Sequence, residues 1–294
     1  MEISVQSKGA ISLQQTINKL DALPAIPAIA QQLLTLDLDT EQGKQKLLVL
    51  IEEDPLISAK IVGLANSAMI GASRRISTVK DSAILLGIKR IQSVAIGIAI
   101  MTMIAKTSTA KFSIQDLWLH CIGISFAALG ISRFIPEKVR PHEDELFLAC
   151  MLHDIGFMAL AYLDPKLSDS LHTCLAAEPE RPIVEIEKTV LNVGHEELGA
   201  ELASHWNLPE EIISVIRHHH HPNSAEVSMG RALARIINIA EKLVPNFSIR
   251  EYGGAEITDE EWKALGIDPS KVEEIKIQVD EAIEEAVQFV SSVV

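Results

Sequence analysis

Apolar residues recur at three- and four-residue spacing through most of this chain, with few of the alternating runs or Gly-rich hairpin signals that mark strands. The pattern predicts an all-α protein. In the first part, a helix is expected from near Ser12 to just before Leu23-Pro24, where Pro24 and Pro27 impose extended backbone. Helices follow over residues 28–38 and, started by Thr40 with Gly43 behind it, up to Glu52. Asp54 caps the next helix with Pro55 in its first turn, and that helix runs over 56–68. After a loop at 71–75, Ser77 or Thr78 caps a helix through Leu86, Gly87 stops it, and a long apolar helix covers 88–105. The polar stretch 107–113 reads as a boundary between two packed helical bundles.

The second bundle opens with a helix over 114–134 that carries Trp118 and His120. An apolar run, 147–160, predicts a buried helix, and it contains an adjacent His153-Asp154 pair. Further helices are expected between the prolines of 164–182, over 182–191, from His195 to about 206, from Pro209 into His218-His219-His220-His221, and over 228–244. After residue 247 comes a capping-box start at Thr258 to Glu261, with Trp262 and Leu265 on its apolar side. The last helix, 272–294, aligns Ile275, Val279, Ile283, Val287 and Val290, a stripe suited to docking on the core. The expected organisation is a first bundle over 1–112, a second over 113–247, and an acidic C-terminal extension over 248–294.

Composition narrows this picture. Apolar residues make up 48% and aromatics only 4%, so the core is aliphatic. Cys121, Cys150 and Cys174 have no CxxC spacing and sit among apolar residues, which suits buried free thiols in a reducing cytoplasm. The start, Met-Glu-Ile-Ser-Val, has no signal-peptide pattern, and the most membrane-like run, 91–105, is shorter than the ~20 residues a spanning helix needs. No membrane partner is therefore expected. A net charge of −14 argues against nucleic acid, whose phosphates need clustered Lys and Arg. The acidity is concentrated after residue 115, whereas Arg74, Arg75, Lys80, Lys89 and Arg90 form a local basic cluster. Such a cluster serves either as a solvated face or as a contact for an acidic partner.

The charged pair within 147–160 demands a partner, because burying an unpaired carboxylate is costly. A hydrogen-bonded pair satisfies that demand, and so does a divalent metal such as Fe, Mn, Zn or Ni. Four features then coincide in order and spacing. They are Leu23-Pro24 with Pro27, Asp54-Pro55-Leu56, Ala65-Asn66-Ser67-Ala68 with Gly71, and Ile76 followed by Ala83 and Leu86-Gly87. From about Leu13 to His219 the chain resembles the HDOD family of bacterial signalling domains. The resemblance implies an all-helical fold related to the HD metal-dependent phosphohydrolases, and a regulatory role exerted on a signalling protein or small ligand. Asn66, a polar amide in an apolar helix, is expected to satisfy backbone of a neighbouring loop.

The histidines follow the order seen in the HD superfamily and its HD-GYP branch. By that resemblance His120, His153, Asp154, His195, His218 and His219 are metal ligands for one or two ions. Glu241 stands where the superfamily places an aspartate, and its extra methylene alters its reach. Two departures weigh against turnover: the Gly-Tyr-Pro element after the tandem histidines is missing, and Phe157 replaces a lysine after His153-Asp154-Ile155-Gly156. That change removes a cation able to face a phosphate. The expectation is a metal-binding regulatory protein with little or no catalysis, set against a phosphohydrolase acting on a nucleotide or cyclic dinucleotide. His142, His172 and His205 are expected at the surface or at boundaries.

Overall fold

The computed structural model describes residues 25–103, 109–247, 249 and 256–293. Among them every regular element is helical. The helix expected over residues 12–22 lies outside the described residues.

The first half holds α1 (Ala28–Leu34), α2 (Glu41–Glu52), α3 (Pro55–Ala65), α4 (Val79–Leu86) and α5 (Ile88–Met103). Their starts follow local chemistry. Thr40 accepts from the Gly43 amide, Asp54 from those of Leu56 and Ile57, and Thr78 from that of Asp81. Each satisfies an amide that the first helical turn leaves without a partner. Asn66 ends α3 and clamps the following loop: its Oδ1 accepts from the Ile76 amide and its Nδ2 donates to the Ile76 carbonyl, both at 2.8 Å. Gly87, at φ +90°, makes the 118° bend between α4 and α5 that a side chain would resist.

The second half holds α6 (Ile114–Ser132), α7 (Glu143–Leu152), α8 (Ile155–Leu163), α9 (Pro165–Ala177), α10 (Ile183–Val190), α11 (His195–His205), α12 (Glu210–His218) and α13 (Arg231–Leu243). The C-terminal part holds α14 (Asp259–Ala264), a 3₁₀ turn (Pro269–Lys271) and α15 (Val272–Val293). The expected capping box at Thr258 and Glu261 is present.

One buried aliphatic cluster runs through both halves. Helix α5 packs on α7 and so joins them, while α15 lies along α6 and also reaches α3. The inward stripe of α15 is Ile275, Val279, Ala282, Ala286, Phe289 and Val290; Val287, expected inside, is 40% exposed. Across the same junction the Lys60 ammonium sits 4.1 Å from the centroid of the Trp118 ring. Two stretches, Ile114–Ser132 and Glu143–Leu163, are long and apolar enough to cross a membrane, and the sequence reading of 91–105 overlooked them. They are 83% and 89% buried within the protein, which accounts for their apolarity as core.

The apolar run 147–160 is not one helix. It breaks at His153-Asp154, where Asp154 has φ −101° and ψ 16°. On an unbroken helix adjacent side chains diverge by about 100°, and the break lets both face the same interior point. His172, expected at the surface or at a boundary, is 9% exposed and stacks on Phe112, with ring centroids 5.2 Å apart.

Candidate metal centre

Five places in the fold deliver ionisable side chains to one buried point. His120 comes from the middle of α6, His153 and Asp154 from the α7–α8 break, and His195 from the first residue of α11. His219 and His220 follow α12 directly, and Glu241 lies on α13. All are buried, none more than 5% exposed.

Backbone packing sets where several of them stand. Gly156 lets α8 and α11 touch: a Cβ there would lie 2.0 Å from the His195 carbonyl oxygen. Only glycine permits that approach. The Phe157 ring stacks on His195 with centroids 4.3 Å apart, so the residue replacing the expected lysine forms a wall of the site.

Hydrogen bonds at Nδ1 then orient three rings. His153 Nδ1 donates to the Cys150 carbonyl at 2.7 Å, and His219 Nδ1 to the Ile216 carbonyl at 2.8 Å. His195 Nδ1 donates to Glu187 at 2.8 Å. Each bond places the proton on Nδ1 and turns the Nε2 lone pair inward, the arrangement by which outer partners fix metal-binding imidazoles.

The inward atoms form two groups joined by Asp154. Around Oδ2 stand His120 Nε2 at 3.2 Å and His153 Nε2 at 3.4 Å, and Glu241 Oε1 lies 3.1 and 2.7 Å from those same nitrogens. Around Oδ1 stand His195 Nε2 at 3.4 Å and His219 Nε2 at 3.7 Å. His195 Nε2 is also 3.3 Å from His219 Nε2 and 3.1 Å from His220 Nε2. In each group, His120-His153-Asp154-Glu241 and His195-His219-His220, the donor atoms all lie within 4.8 Å of one another.

These residues fit a divalent ion. Donors sharing one ion at ~2.0–2.2 Å sit roughly 3–3.5 Å apart, the range seen here. His195 Nε2 and His219 Nε2 face each other at 3.3 Å, a pairing that a shared proton or a shared cation satisfies. Neither Asp154 oxygen accepts a well-formed hydrogen bond from the described residues, although both are buried among imidazoles. A buried carboxylate so placed calls for a positive centre.

The protonation states agree. Burial disfavours the charge of Asp154, but His153, His120 and His195 outweigh it and hold the carboxyl well below its ordinary range. Glu241 likewise drops to about 2, with burial opposed by His120 and His153. Burial, then neighbouring imidazoles, keep His219 and His220 well below the imidazole range, so both rings are neutral donors. His120 goes the other way: burial lowers it, but Glu241 and Asp154 raise it well above the ordinary value. Without metal, a proton on His120 supplies the positive charge instead. Burial holds the Cys121 and Cys150 thiols protonated, which leaves a nitrogen and oxygen donor set.

The structure gathers His120, His153, Asp154, His195, His219 and Glu241 from the residues expected as ligands. His218 does not join them. It is the last residue of α12, half-buried in the wall of an outer cleft, and His220 takes the inner place. The inner face of α12 carries Ile212, Val215 and Ile216, and continuing it by three or four residues reaches His219 and His220. Asn238 Nδ2 fixes the turn by donating to the His219 carbonyl at 2.9 Å. Glu187 was missed altogether; its signal was a carboxylate one turn after Ile183 on the apolar side of α10.

The basic cluster is partly neutralised. Arg74 pairs with Asp81 and Arg90 with Glu143, while Arg75, Lys80 and Lys89 are exposed.

Comparison with known proteins places this geometry. Residues 23–222 match the model of the HDOD domain. The fold is shared with a candidate signal transduction protein of Marinobacter aquaeolei VT8 (TM-score 0.74, 23% identity, 97% of this chain and 61% of that one). It is also shared with two proteins of Shewanella amazonensis SB2B. One is a candidate phosphohydrolase (TM-score 0.72, 20% identity, 97% of this chain and all of that one). The other is a candidate metal-dependent phosphohydrolase (TM-score 0.64, 18% identity, 92% of this chain and 95% of that one). A protein of Treponema pallidum (strain Nichols) with no described function is 23% identical over 225 residues, and this chain spans only 43% of its length. With two-thirds of its residues matched in one continuous segment, the chain belongs to the HDOD domain family.

Proposed function

We propose that this protein is a regulatory signal-transduction module that holds one or two divalent metal ions between its helices and hydrolyses phosphoesters little or not at all. The observation carrying the reading is Asp154, buried, ionised and divided between two groups of inward-facing imidazoles. His120, His153, Glu241 and Asp154 would hold one ion; His195, His219, His220 and Asp154 the other. Bound metal supplies a positive charge that offsets the buried carboxylates, and polarises any oxygen brought to it. What the chain's own residues add favours binding over turnover. Glu187, Cys150 and Ile216 orient ligands through Nδ1, and Phe157 shields His195 with an apolar face. Near the centre, Arg217 is tied to Glu197 and Glu201, and Lys242 to Glu261, so neither is a free phosphate anchor.

In this reading, ligand state at the centre is passed on through contacts with a signalling protein. The fold shared with the candidate signal transduction protein of Marinobacter aquaeolei VT8 supports it. A second reading, a metal-dependent phosphohydrolase, is favoured by the complete donor set and by a cleft that reaches His220. Metal analysis of tag-free protein expressed with Mn, Fe or Zn, combined with a hydrolysis screen over phosphomonoesters and cyclic dinucleotides, separates the two. Metal without turnover supports regulation. Brisk hydrolysis that depends on Asp154 makes the protein an enzyme, and metal-free protein removes both readings.

A further inference from the structure

The two donor groups differ in their access to solvent. A cleft of about 630 Å³ opens beside the turn after α12. Of the seven inward-facing ligands, His220 alone lines it. His120, His153, Asp154, His195, His219 and Glu241 lie behind it, each 2% exposed or less. His220 is 5% exposed, with its Nε2 turned toward His195. It is therefore the boundary between the cleft and the His195-His219-His220 group.

The cleft walls are acidic. Glu196, Glu197, Glu226 and Glu261 face Arg217 and Lys242. Both cations are already matched, Arg217 by Glu197 at 2.6 Å and Lys242 by Glu261, so the four carboxylates outnumber the Arg and Lys side chains of the cleft. Glu196 lies against the outer edge of His195: its Oε2 is buried, accepts no hydrogen bond among the described residues, and is 3.7 Å from His195 Nδ1. A concave surface with excess negative charge concentrates cations and repels phosphate esters.

We infer that this cleft is a port for divalent cations, which exchange through it at the outer position bounded by His220, while the inner position of His120, His153 and Glu241 is sealed and holds its ion. The protein then carries one structural ion and one that follows the surrounding metal concentration. This inference rests on the reading of the centre as a metal site and names its regulation.

Zinc-loaded full-length protein mixed with excess chromogenic chelator tests it. The expected release is biphasic, one ion leaving quickly and the other at least tenfold more slowly. His220→Ala should abolish the fast phase and keep the slow one, which also shows that the variant is folded. Glu226→Lys changes an exposed turn residue and should retain both ions. It should slow zinc uptake by the metal-free protein by roughly 3–10-fold at low ionic strength, with the difference vanishing in ~0.5 M salt. Release of all bound zinc in a single phase, or uptake unchanged by Glu226→Lys at low salt, overturns the port. Protein that binds no zinc instead removes the metal-site reading itself.

Discussion

Replacing Asp154 with Asn keeps the side chain's size and removes the charge on which both donor groups converge. An ion that binds only the folded state adds RT ln(1 + [L]/Kd), about 2.7 kcal/mol when free metal is 100 times Kd. Unfolding entropy for 294 residues is on the order of 0.6 kcal/mol per degree, so each ion should raise Tm by about 4 °C. With two ions the wild-type protein should melt about 9 °C higher in Mn or Zn than in chelator. In Asp154→Asn that difference should fall to near zero, and bound metal to well under one ion per chain. Comparing metal with chelator inside each variant cancels any change in metal-free stability from placing a neutral amide among imidazoles. Differential scanning calorimetry with elemental analysis of the same samples reads both quantities. A wild-type Tm indifferent to metal and chelator would refute the reasoning, as would an Asn variant that keeps the full shift. Either result would mean that the histidines and carboxylates merely neutralise one another in the core.

Three further outcomes are expected. Glu187→Gln leaves His195 without its carboxylate partner, so metal affinity measured by competition should fall ~10–100-fold while helicity is unchanged. Gly156→Ala places a methyl group 2.0 Å from the His195 carbonyl, where backbone must move; chemical denaturation should show a loss of about 3 kcal/mol or more, and metal content should drop with it. His172 is held by burial at a pKa of about 4, against a weaker opposing pull from Asp169. The unfolded chain therefore binds the proton first. The contribution is whole above pH ~6.5 and is lost as pH falls toward ~4, amounting to about 3 kcal/mol. His172→Phe should flatten the stability–pH curve in that window, and an unchanged slope in denaturant titrations at pH 4.5, 5.5 and 6.5 would count against it.

Much of this protein was legible in sequence because its signals are local. Caps at Thr40, Asp54, Thr78 and Thr258 act within one turn, and apolar periodicity reports which side of a helix is buried, so the helices could be read without a partner in view. His153-Asp154 drew attention because two ionisable groups in an apolar run need something to balance them. Tertiary structure decided what required several helices at once. The break at Asp154 turns both side chains of the pair toward one interior point, a placement that no single-helix periodicity announces. His220 rather than His218 enters the centre because the inner face of α12 continues past its last turn, and Asn238 of α13 pins that turn from a distance. Glu187 gained its role only when α10 was packed beside His195, and Phe157 became a wall because α8 and α11 meet at Gly156. A linear pattern records which face of a helix is buried; which donors then share a point depends on how those faces are docked, and that is set by close packing among helices distant in sequence.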